Sequence, residues 1–470
     1  MKKNTVLQAG VWNTIANFVL KGISFVTTFI FANLLNTAEY GVVSTFFTYV
    51  SIFTLFVGLN LHSTIMIARI DYEKDYNQYL SSIITLALIA GMIVLGGSLF
   101  FKGPLESFLE IDIFKIILLI IIAFCQFAVE YKQMINAADF KYKNNLFLSF
   151  AVSLGNIVFS LLFICIFLKE QKVFGRILGA YLVVIILGII IIAGILMQGK
   201  TFIKTEYWKY GLKLSLPNLI HSVSNLAMSQ FDRIAIKKLV DDSAVGLYSL
   251  ISNFGLIVQI LWNSINTVWV PWLYRQLKEE NKENIIQKSN WYIAGFSILT
   301  VMCQAVLPDF VRLCPPEYHS SASLVFPIIL GGYFIFLYSF PVNLQFYYKK
   351  NKYIAAGTTL AAIINIVTNL IFIPIWGYQA AAYTTLVAYV FLFVFHWILV
   401  TYIHKINFYQ LKTFIVSIVL VCSVSLIFMV IRDMLILKYS IVFIFCILMI
   451  IWIVKNRQML LELIGREKKK

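Results

Sequence analysis

Residues 11–35, VWNTIANFVLKGISFVTTFIFANLL, combine an apolar run long enough to cross a bilayer with a stripe of polar side chains. The stripe recurs at steps of three and four residues, which places its members on one helix face. They are Asn13, Asn17, Lys21, Ser24 and Thr28. A charge at mid-membrane depth costs about 2.5–3.5 kcal/mol or more, so it normally faces a bundle interior or a watery cavity. The run therefore predicts a membrane helix that lines a polar cavity.

A second run repeats this design 205 residues later, since Asn13 corresponds to Asn218. Residues 216–240 read LPNLIHSVSNLAMSQFDRIAIKKLV, and their polar face carries Asn218, Ser222, Asn225, Ser229 and Asp232, with Arg233 beside it. The same offset carries the turn at Asn36 and Gly41 onto Asp241 and Gly246. Because an even number of predicted helices separates the copies, they form a parallel repeat about an axis along the membrane normal. Two matching polar stripes indicate one cavity lined from both sides, as in a transporter.

The composition excludes an ordinary soluble domain, because 60% of the residues are hydrophobic and 13% are charged. Apolar runs predict an all-α polytopic membrane protein with about 14 transmembrane helices, each needing about 20 mostly apolar residues. The runs are roughly 11–35, 40–68, 80–101, 113–137, 146–168, 176–197, 213–240, 244–274, 289–312, 320–348, 352–374, 378–403, 411–431 and 439–455. We divide them into an N-terminal six-helix lobe (1–199), an interfacial linker (200–213), a C-terminal six-helix lobe (214–405), and two additional helices with a basic tail (406–470).

The net charge of +16 is explained by topology rather than by nucleic-acid binding. With the N-terminus in the cytoplasm, most lysines and arginines fall on the inner side, and the outer turns at 36–39 and 375–379 carry none. This bias predicts a multi-pass membrane protein with both termini cytoplasmic, and the family resemblance described below implies the bacterial cytoplasmic (inner) membrane. The cysteines show no metal-binding or disulfide spacing, and no cofactor is predicted.

Eight residues are the candidate substrate-binding set: Lys21, Arg233, Asp232, Asn17, Ser24, Asn225, His62 and Asn263. Lys21 and Arg233 lie at different depths and can hold an anionic group at two levels of the membrane. The adjacent Asp232 and Arg233 also fit a purely structural pair, and His62 also fits a packing role. Glu130, which shares a helix face with Gln126, fits either a coupling carboxylate or an acid that reaches water at the inner end.

Motifs of hydrolases, phosphate-loop enzymes and zinc proteases are missing from the sequence. The predicted outer loops are short, which disfavours a membrane polymerase or ligase. The prediction is therefore a transporter and not an enzyme.

Short motifs give the chain a family resemblance. Trp12-Asn13, Leu34-Leu35-Asn36-Thr37-Ala38-Glu39-Tyr40-Gly41 and Gly58-Leu59 in the first half, with Asp232-Arg233 and Val245-Gly246-Leu247-Tyr248 in the second, resemble bacterial polysaccharide flippases. These are Wzx-like members of the MOP superfamily, which also contains lipid II flippases and MATE exporters. The similarity covers about residues 5–455. Many relatives carry Arg after the Ala that ends helix 1, where this chain has Ala32-Asn33.

The resemblance implies two lobes that rock around a central cavity by alternating access. It implies a polyprenyl-diphosphate-linked oligosaccharide as substrate, moved from the inner to the outer leaflet for capsule, O-antigen or exopolysaccharide synthesis. The implied partners are the lipid bilayer, H+ or Na+ as coupling ion, and polysaccharide polymerase and assembly proteins. A MATE-type ion-coupled exporter and a lipid II flippase are the alternatives; a MATE-type exporter is expected to place more carboxylates than cations in its cavity.

Overall fold

The computed structural model describes residues 22–23 and 25–455, and the regular structure in this part of the chain is entirely helical. The first ten helices are α1 (Phe25–Leu34), α2 (Thr37–Gly58), α3 (Ile65–Asp71), α4 (Tyr76–Phe100), α5 (Lys102–Leu109), α6 (Ile113–Ala138), α7 (Tyr142–Leu162), α8 (Lys172–Gly199), α9 (Thr205–Leu239) and α10 (Asp242–Lys278). The others are α11 (Lys282–Phe310), α12 (Val325–Tyr347), α13 (Asn351–Trp376), α14 (Ala380–Ile398), α15 (Leu411–Val430) and α16 (Leu435–Lys455). The predicted fold class is confirmed.

Eleven helices in the described part are long and apolar enough to cross a membrane, against the about 14 predicted from run lengths. Three features account for the difference. Helices α13 and α14 form one apolar segment, Asn351–Ile403, although Gly377 breaks it and the two halves pack against each other. Helix α9 is long but carries many polar residues, and α1 is described only from Phe25.

The outer faces of several helices are apolar, as a lipid environment requires. Along α8, exposed Ile186, Ile189, Ile190 and Met197 recur at helical spacing. In water such a stripe would be an aggregation hazard. In a bilayer the exposure of this stripe carries no free-energy penalty, because lipid tails are as apolar as the side chains.

The chain forms two compact units. The first contains the residues up to Lys237 together with 241–246, and the second contains 238–240 and the residues from Leu247 onward. Helices α2, α4 and α6 to α8 pack closely in the first unit, and α11 to α15 in the second. The two units therefore divide near the end of α9, whereas the predicted lobes divide at the linker 200–213. That the lobes move as separate bodies stays a prediction.

The predicted interfacial linker does not form a separate helix. Residues 205–213 are the first turns of α9, which continues without interruption past Pro217 to Leu239. This start is anchored on α4, because the Trp208 indole donates to the carbonyl of Ser82 at 2.9 Å and Tyr207 is buried against Tyr79. These contacts therefore fix the start of α9 to α4 within the first unit.

The two turns predicted to be repeat copies have the same local design. Asn36 caps α2 in a capping box with Glu39, and Asp241 caps α10 by accepting from the amide of Ala244 at 2.7 Å. The turns also pack on each other: a Cβ on Gly41 would overlap the Asp242 carbonyl, and one on Gly246 would overlap the Thr37 carbonyl. The repeat thus produces a symmetric contact that only glycine permits at both positions.

Candidate functional site

A cavity of about 500 Å³ lies within the first unit, between α2, α6, α8 and α9. Its walls are mostly polar although they belong to apolar helices. The lining side chains are Val50, Ser51, Thr54 and Leu55 of α2, Gln126 and Glu130 of α6, Tyr181 of α8, and Ser222, Asn225, Leu226 and Ser229 of α9. The size is in the range of small-ligand sites.

Helix α9 contributes the polar wall that its sequence stripe predicts. Ser222, Asn225 and Ser229 lie at successive helical turns and face the cavity. The Asn225 amide contacts the ring Nε2 of His221 at 3.1 Å, and Asn225 itself is exposed. The α2 wall is polar in a different way, because the hydroxyls of Ser51 and Thr54 donate to carbonyls of their own helix. Oxygen lone pairs and an amide are therefore available to a ligand.

Glu130 is the charged member of the lining. Its carboxylate accepts a hydrogen bond of 2.9 Å from the Gln126 amide, one helical turn earlier. Throughout the described part of the chain, no lysine, arginine or histidine forms an ion pair with it. A carboxylate at this depth is costly unless it binds a proton or a cation. Both interpretations of Glu130, as a coupling carboxylate and as an acid that reaches water, stay predictions.

Arg233 lies one helical turn beyond Ser229, at the rim of the cavity. Its guanidinium donates to the side chain of Gln230 at 2.8 Å and to the carbonyl of Ser229 at 3.1 Å. Gln230 also accepts from the Thr48 hydroxyl at 3.1 Å, so the network joins α9 to α2. Asp232 is buried at 2% exposure, whereas Arg233 is half-buried. The neighbours therefore occupy different surroundings on α9.

The other predicted site residues are not brought together. His62 lies in the turn Leu61–Thr64 after α2, outside the cavity wall, with its ring 6.4 Å from that of Phe127. Asn263 is exposed on α10 in the second unit. Lys21, Asn17 and Ser24 lie outside the described residues.

Sequence reasoning missed Arg176 of α8. Its guanidinium is buried, donates to Asn156 at 2.9 Å and to the Ser160 hydroxyl at 2.7 Å, and lies 3.8 Å from the centre of the Phe31 ring. Within the described residues it has no carboxylate partner. In the sequence, Arg176 stands near the start of α8, where a charge usually reaches water. Tyr181, five residues further along α8, lines the cavity and was also missed, because a single tyrosine in an apolar run gives no polar pattern.

The far end of the first unit holds a contrasting charge cluster. Lys237 of α9 is almost fully buried, and its ammonium lies 3.6 Å from both Glu110 and Asp242. These residues follow α5 and begin α10, next to the Gly41 contact. The cluster is an ion triad that joins three chain segments.

A polar cluster in the second unit is closed rather than open. Asn369 of α13 accepts from the Thr384 hydroxyl at 2.5 Å and donates to Asn365 at 3.3 Å, while Asn365 donates to Thr385 at 3.0 Å. Asn365 and Asn369 are fully buried. Among the described residues, no group of three or more His, Cys, Asp or Glu side chains is arranged to hold a metal.

Comparisons with known proteins agree with this architecture. A family model described as polysaccharide biosynthesis protein matches residues 6–277, more than half of the chain. A curated relative, Lsg locus putative protein 1 of Haemophilus influenzae, is 26% identical over 159 residues, which are 33% of this chain and 39% of that protein. The match thus spans less than half of the relative's length.

Two solved structures show the same fold. The lipid II flippase MurJ in an inward closed conformation has a TM-score of 0.72 at 15% identity, covering 96% of this chain and 100% of that one. An inward-facing multidrug resistance MATE family transporter of the MOP superfamily has a TM-score of 0.60 at 14% identity, covering 83% of this chain and 96% of that one. The family model confirms the resemblance to proteins of polysaccharide biosynthesis, and the two solved structures confirm the fold.

Proposed function

From its membership of the polysaccharide biosynthesis protein family, to which this chain belongs, we propose that the protein is a flippase. The substrate is a polyprenyl-diphosphate-linked oligosaccharide, which moves from the inner to the outer leaflet of the cytoplasmic membrane by alternating access. The product supplies capsule, O-antigen or exopolysaccharide synthesis. The role is transport and not catalysis.

The observation that carries this proposal is the polar cavity among the apolar helices of the first unit. Hydroxyls, amides and the Tyr181 phenol in its wall are the groups that bind sugar hydroxyls. At about 500 Å³ the cavity holds a small part of the substrate rather than a whole oligosaccharide. The lipid tail stays in the bilayer, where its transfer costs nothing.

The diphosphate is assigned to cations at the edge of this cavity. Arg233 at the rim offers a planar fork of donors that matches phosphate oxygens. Lys21, with Asn17 and Ser24 on the same predicted face, supplies a second cation from the first predicted helix. Asp232, which is buried on another face of α9, is assigned a smaller part in substrate binding.

Glu130 is assigned to energy coupling. A carboxylate that lacks a cationic partner among the described residues can exchange H+ or Na+ as the cavity changes its exposure. A negative cavity wall also repels a substrate diphosphate until Glu130 is neutralised. Cation binding and substrate binding are thereby linked.

Each of the two alternative functions is supported by one specific observation. The greater similarity of fold to the lipid II flippase favours a second polyprenyl-diphosphate substrate, lipid II itself. The described cavity lining contains one carboxylate and no lysine or arginine, which is the balance expected of a MATE-type exporter.

Transport assays in cells lacking the native copy of the gene separate these functions. We expect the intact protein to restore surface polysaccharide, and Lys21→Ala and Arg233→Ala to leave lipid-linked oligosaccharide in the inner leaflet. Lys21→Arg should retain part of the activity because the charge is kept. Rescue of cells depleted of their lipid II flippase, or drug resistance without polysaccharide export, would reject the proposal in favour of the corresponding alternative.

The orientation is tested separately. Gln171 and Asn281 are exposed and directly precede α8 and α11, and the predicted topology puts them on opposite sides of the membrane. With both termini cytoplasmic, an impermeant thiol reagent should label Gln171→Cys in intact cells and label Asn281→Cys only after lysis. The reverse pattern would invert the proposed direction of transport.

A further inference from the structure

A second cavity, of about 840 Å³, lies in the second unit, at the end where α11 and α13 begin and α14 ends. We call it the basic groove. Its lining contains three lysines, a histidine, a tyrosine, an asparagine and three apolar side chains: Lys282, Lys350, Lys405, His404, Tyr348, Asn407, Ile403, Ile406 and Phe408. None of these lining residues is acidic. The groove is far in sequence from the cavity of the first unit and takes no part in the function proposed above.

The three lysines of the groove are not satisfied by the protein. Lys282, Lys350 and Lys405 are exposed, and within the described residues none of their ammonium groups makes a hydrogen bond or an ion pair. Glu280 lies close enough to Tyr348 to raise the pKa of its phenol, after burial and Tyr347, but it does not pair with these lysines. Three ammonium groups that line one groove without an ion-pair partner repel one another, and a bound anion would relieve this repulsion.

The opposite end of the same unit shows how the fold treats cations that serve structure. There Lys438 pairs with Asp309, and Arg312 pairs with Asp433 at 3.2 Å. The cavity at that end, of about 220 Å³, contains both carboxylates among its lining residues. Cations at one end are therefore neutralised internally, whereas those of the basic groove are left for a ligand.

The groove also has an apolar side. Ile403 is exposed, and Ile406 and Phe408 are half-buried beside the lysines. The ring of His404 stacks edge-on against Tyr353 at 4.9 Å and forms part of the floor. Burial, together with the charge of Lys350, lowers the pKa of His404, so this floor is uncharged at neutral pH. A ligand that fits has a phosphate at one end and hydrocarbon at the other.

We propose that the basic groove binds the phosphate headgroup of an anionic phospholipid, with the acyl chains lying along Ile403 and Phe408. The lysines bind the phosphate, and the Tyr348 hydroxyl adds a donor. The prediction that basic residues gather at the cytoplasmic face places the groove at the inner leaflet. Basic pockets between membrane helices on this side are suited to such headgroups.

Native mass spectrometry of the purified full chain tests this assignment. The probes are phosphatidylglycerol, phosphatidylcholine and a polyprenyl diphosphate, each added to the detergent-solubilised protein. The groove variant is Lys282→Gln with Lys350→Gln and Lys405→Gln. The control variant, Lys278→Gln with Lys349→Gln and Lys352→Gln, removes the same charge from exposed lysines outside the groove lining.

We expect the wild type and the control to retain phosphatidylglycerol in preference to phosphatidylcholine. The groove variant should bind phosphatidylglycerol more weakly, by about fivefold for each lysine removed. Lys350→Gln alone should show one such step if the triple variant is poorly folded. Equal retention in the groove and control variants would overturn the proposal. Loss of polyprenyl diphosphate alone would also overturn it and would assign the groove to the transported substrate.

Discussion

The cavity of the first unit and the far end of the same unit treat buried charge in opposite ways. At the far end, Lys237 lies between Glu110 and Asp242, and glycines bring the neighbouring turns into backbone contact. In the cavity, Glu130 has only the neutral Gln126 amide as a partner in the described part of the chain. At the far end the protein supplies the counter-charges itself, whereas in the cavity the described residues supply none for Glu130.

The difference distinguishes charges that hold the fold from charges kept for a ligand. Removing one member of a buried pair strands the other, so a paired charge contributes to stability. An acid without a cationic partner gives no such benefit and costs free energy in a membrane. We therefore expect substitutions at the far end to reduce stability, and substitutions in the cavity to reduce transport while the protein stays folded.

The largest loss of stability is expected for Gly41→Ala. The new Cβ would overlap the carbonyl of Asp242, and backbone on both sides must separate. Overpacking of this kind costs about 3 kcal/mol, measured as a lower melting temperature of the purified protein in detergent. Gly96→Ala is the control, because its Cβ meets nothing within 4 Å and the helix gains up to about 1 kcal/mol. Equal stability of the two variants would show that the far end is not tightly closed.

A smaller loss is expected for Lys237→Met. The side chain of Lys237 is 5% exposed, but those of Glu110 and Asp242 are 46% and 35% exposed, so water partly compensates the stranded acids. We expect a cost of about 1–3 kcal/mol in thermal unfolding. Lys169→Met, at an exposed site, serves as the control and should melt like the wild type. Unchanged melting of Lys237→Met would show that the triad holds nothing together.

The sequence predicts the paired turns and the polar face of α9, because both follow from the regular spacing of residues along the chain. The offset that carries Asn36 and Gly41 onto Asp241 and Gly246 predicts two equivalent turns, and both form with side-chain caps. That these turns touch each other depends on how helices pack in three dimensions, which a single sequence does not encode locally. The α9 stripe likewise predicts a polar wall, and Ser222, Asn225 and Ser229 form it.

The polar residues contributed by α6 and α8 were harder to predict than those of α9. Glu130 lies towards the C-terminal end of its apolar run, where sequence alone does not distinguish contact with bulk water from a position in a cavity wall. Arg176 stands near a helix start, where charges usually reach the surface, yet it folds inward onto Asn156 and Phe31. Whether such a charged side chain points inward or reaches the surface depends on tertiary packing, which the periodicity of a single helix does not reveal.

Arg233 should affect stability less than Lys237 and affect export more. In Arg233→Gln, the side chain of Gln230 keeps its hydrogen bond from Thr48, so we expect a cost of about 0.5–1.5 kcal/mol. Export should fall at least tenfold, because the diphosphate loses its fork of donors, and Arg233→Lys should recover part of it. Asp232→Asn should reduce export less than Arg233→Gln does. Restored export in the double variant Asp232→Asn, Arg233→Gln would show that the pair is structural.

Glu130→Gln tests the central claim most directly, because it removes the charge and keeps the shape. The new amide oxygen still accepts from Gln126, so melting in detergent should match the wild type within about 1 kcal/mol. Polysaccharide export, measured in the same cells at matched protein levels, should fall at least tenfold because the cavity no longer exchanges a cation. Normal export by a stable Glu130→Gln protein, or its failure to fold, would contradict the account, since Glu130 would then be dispensable or structural.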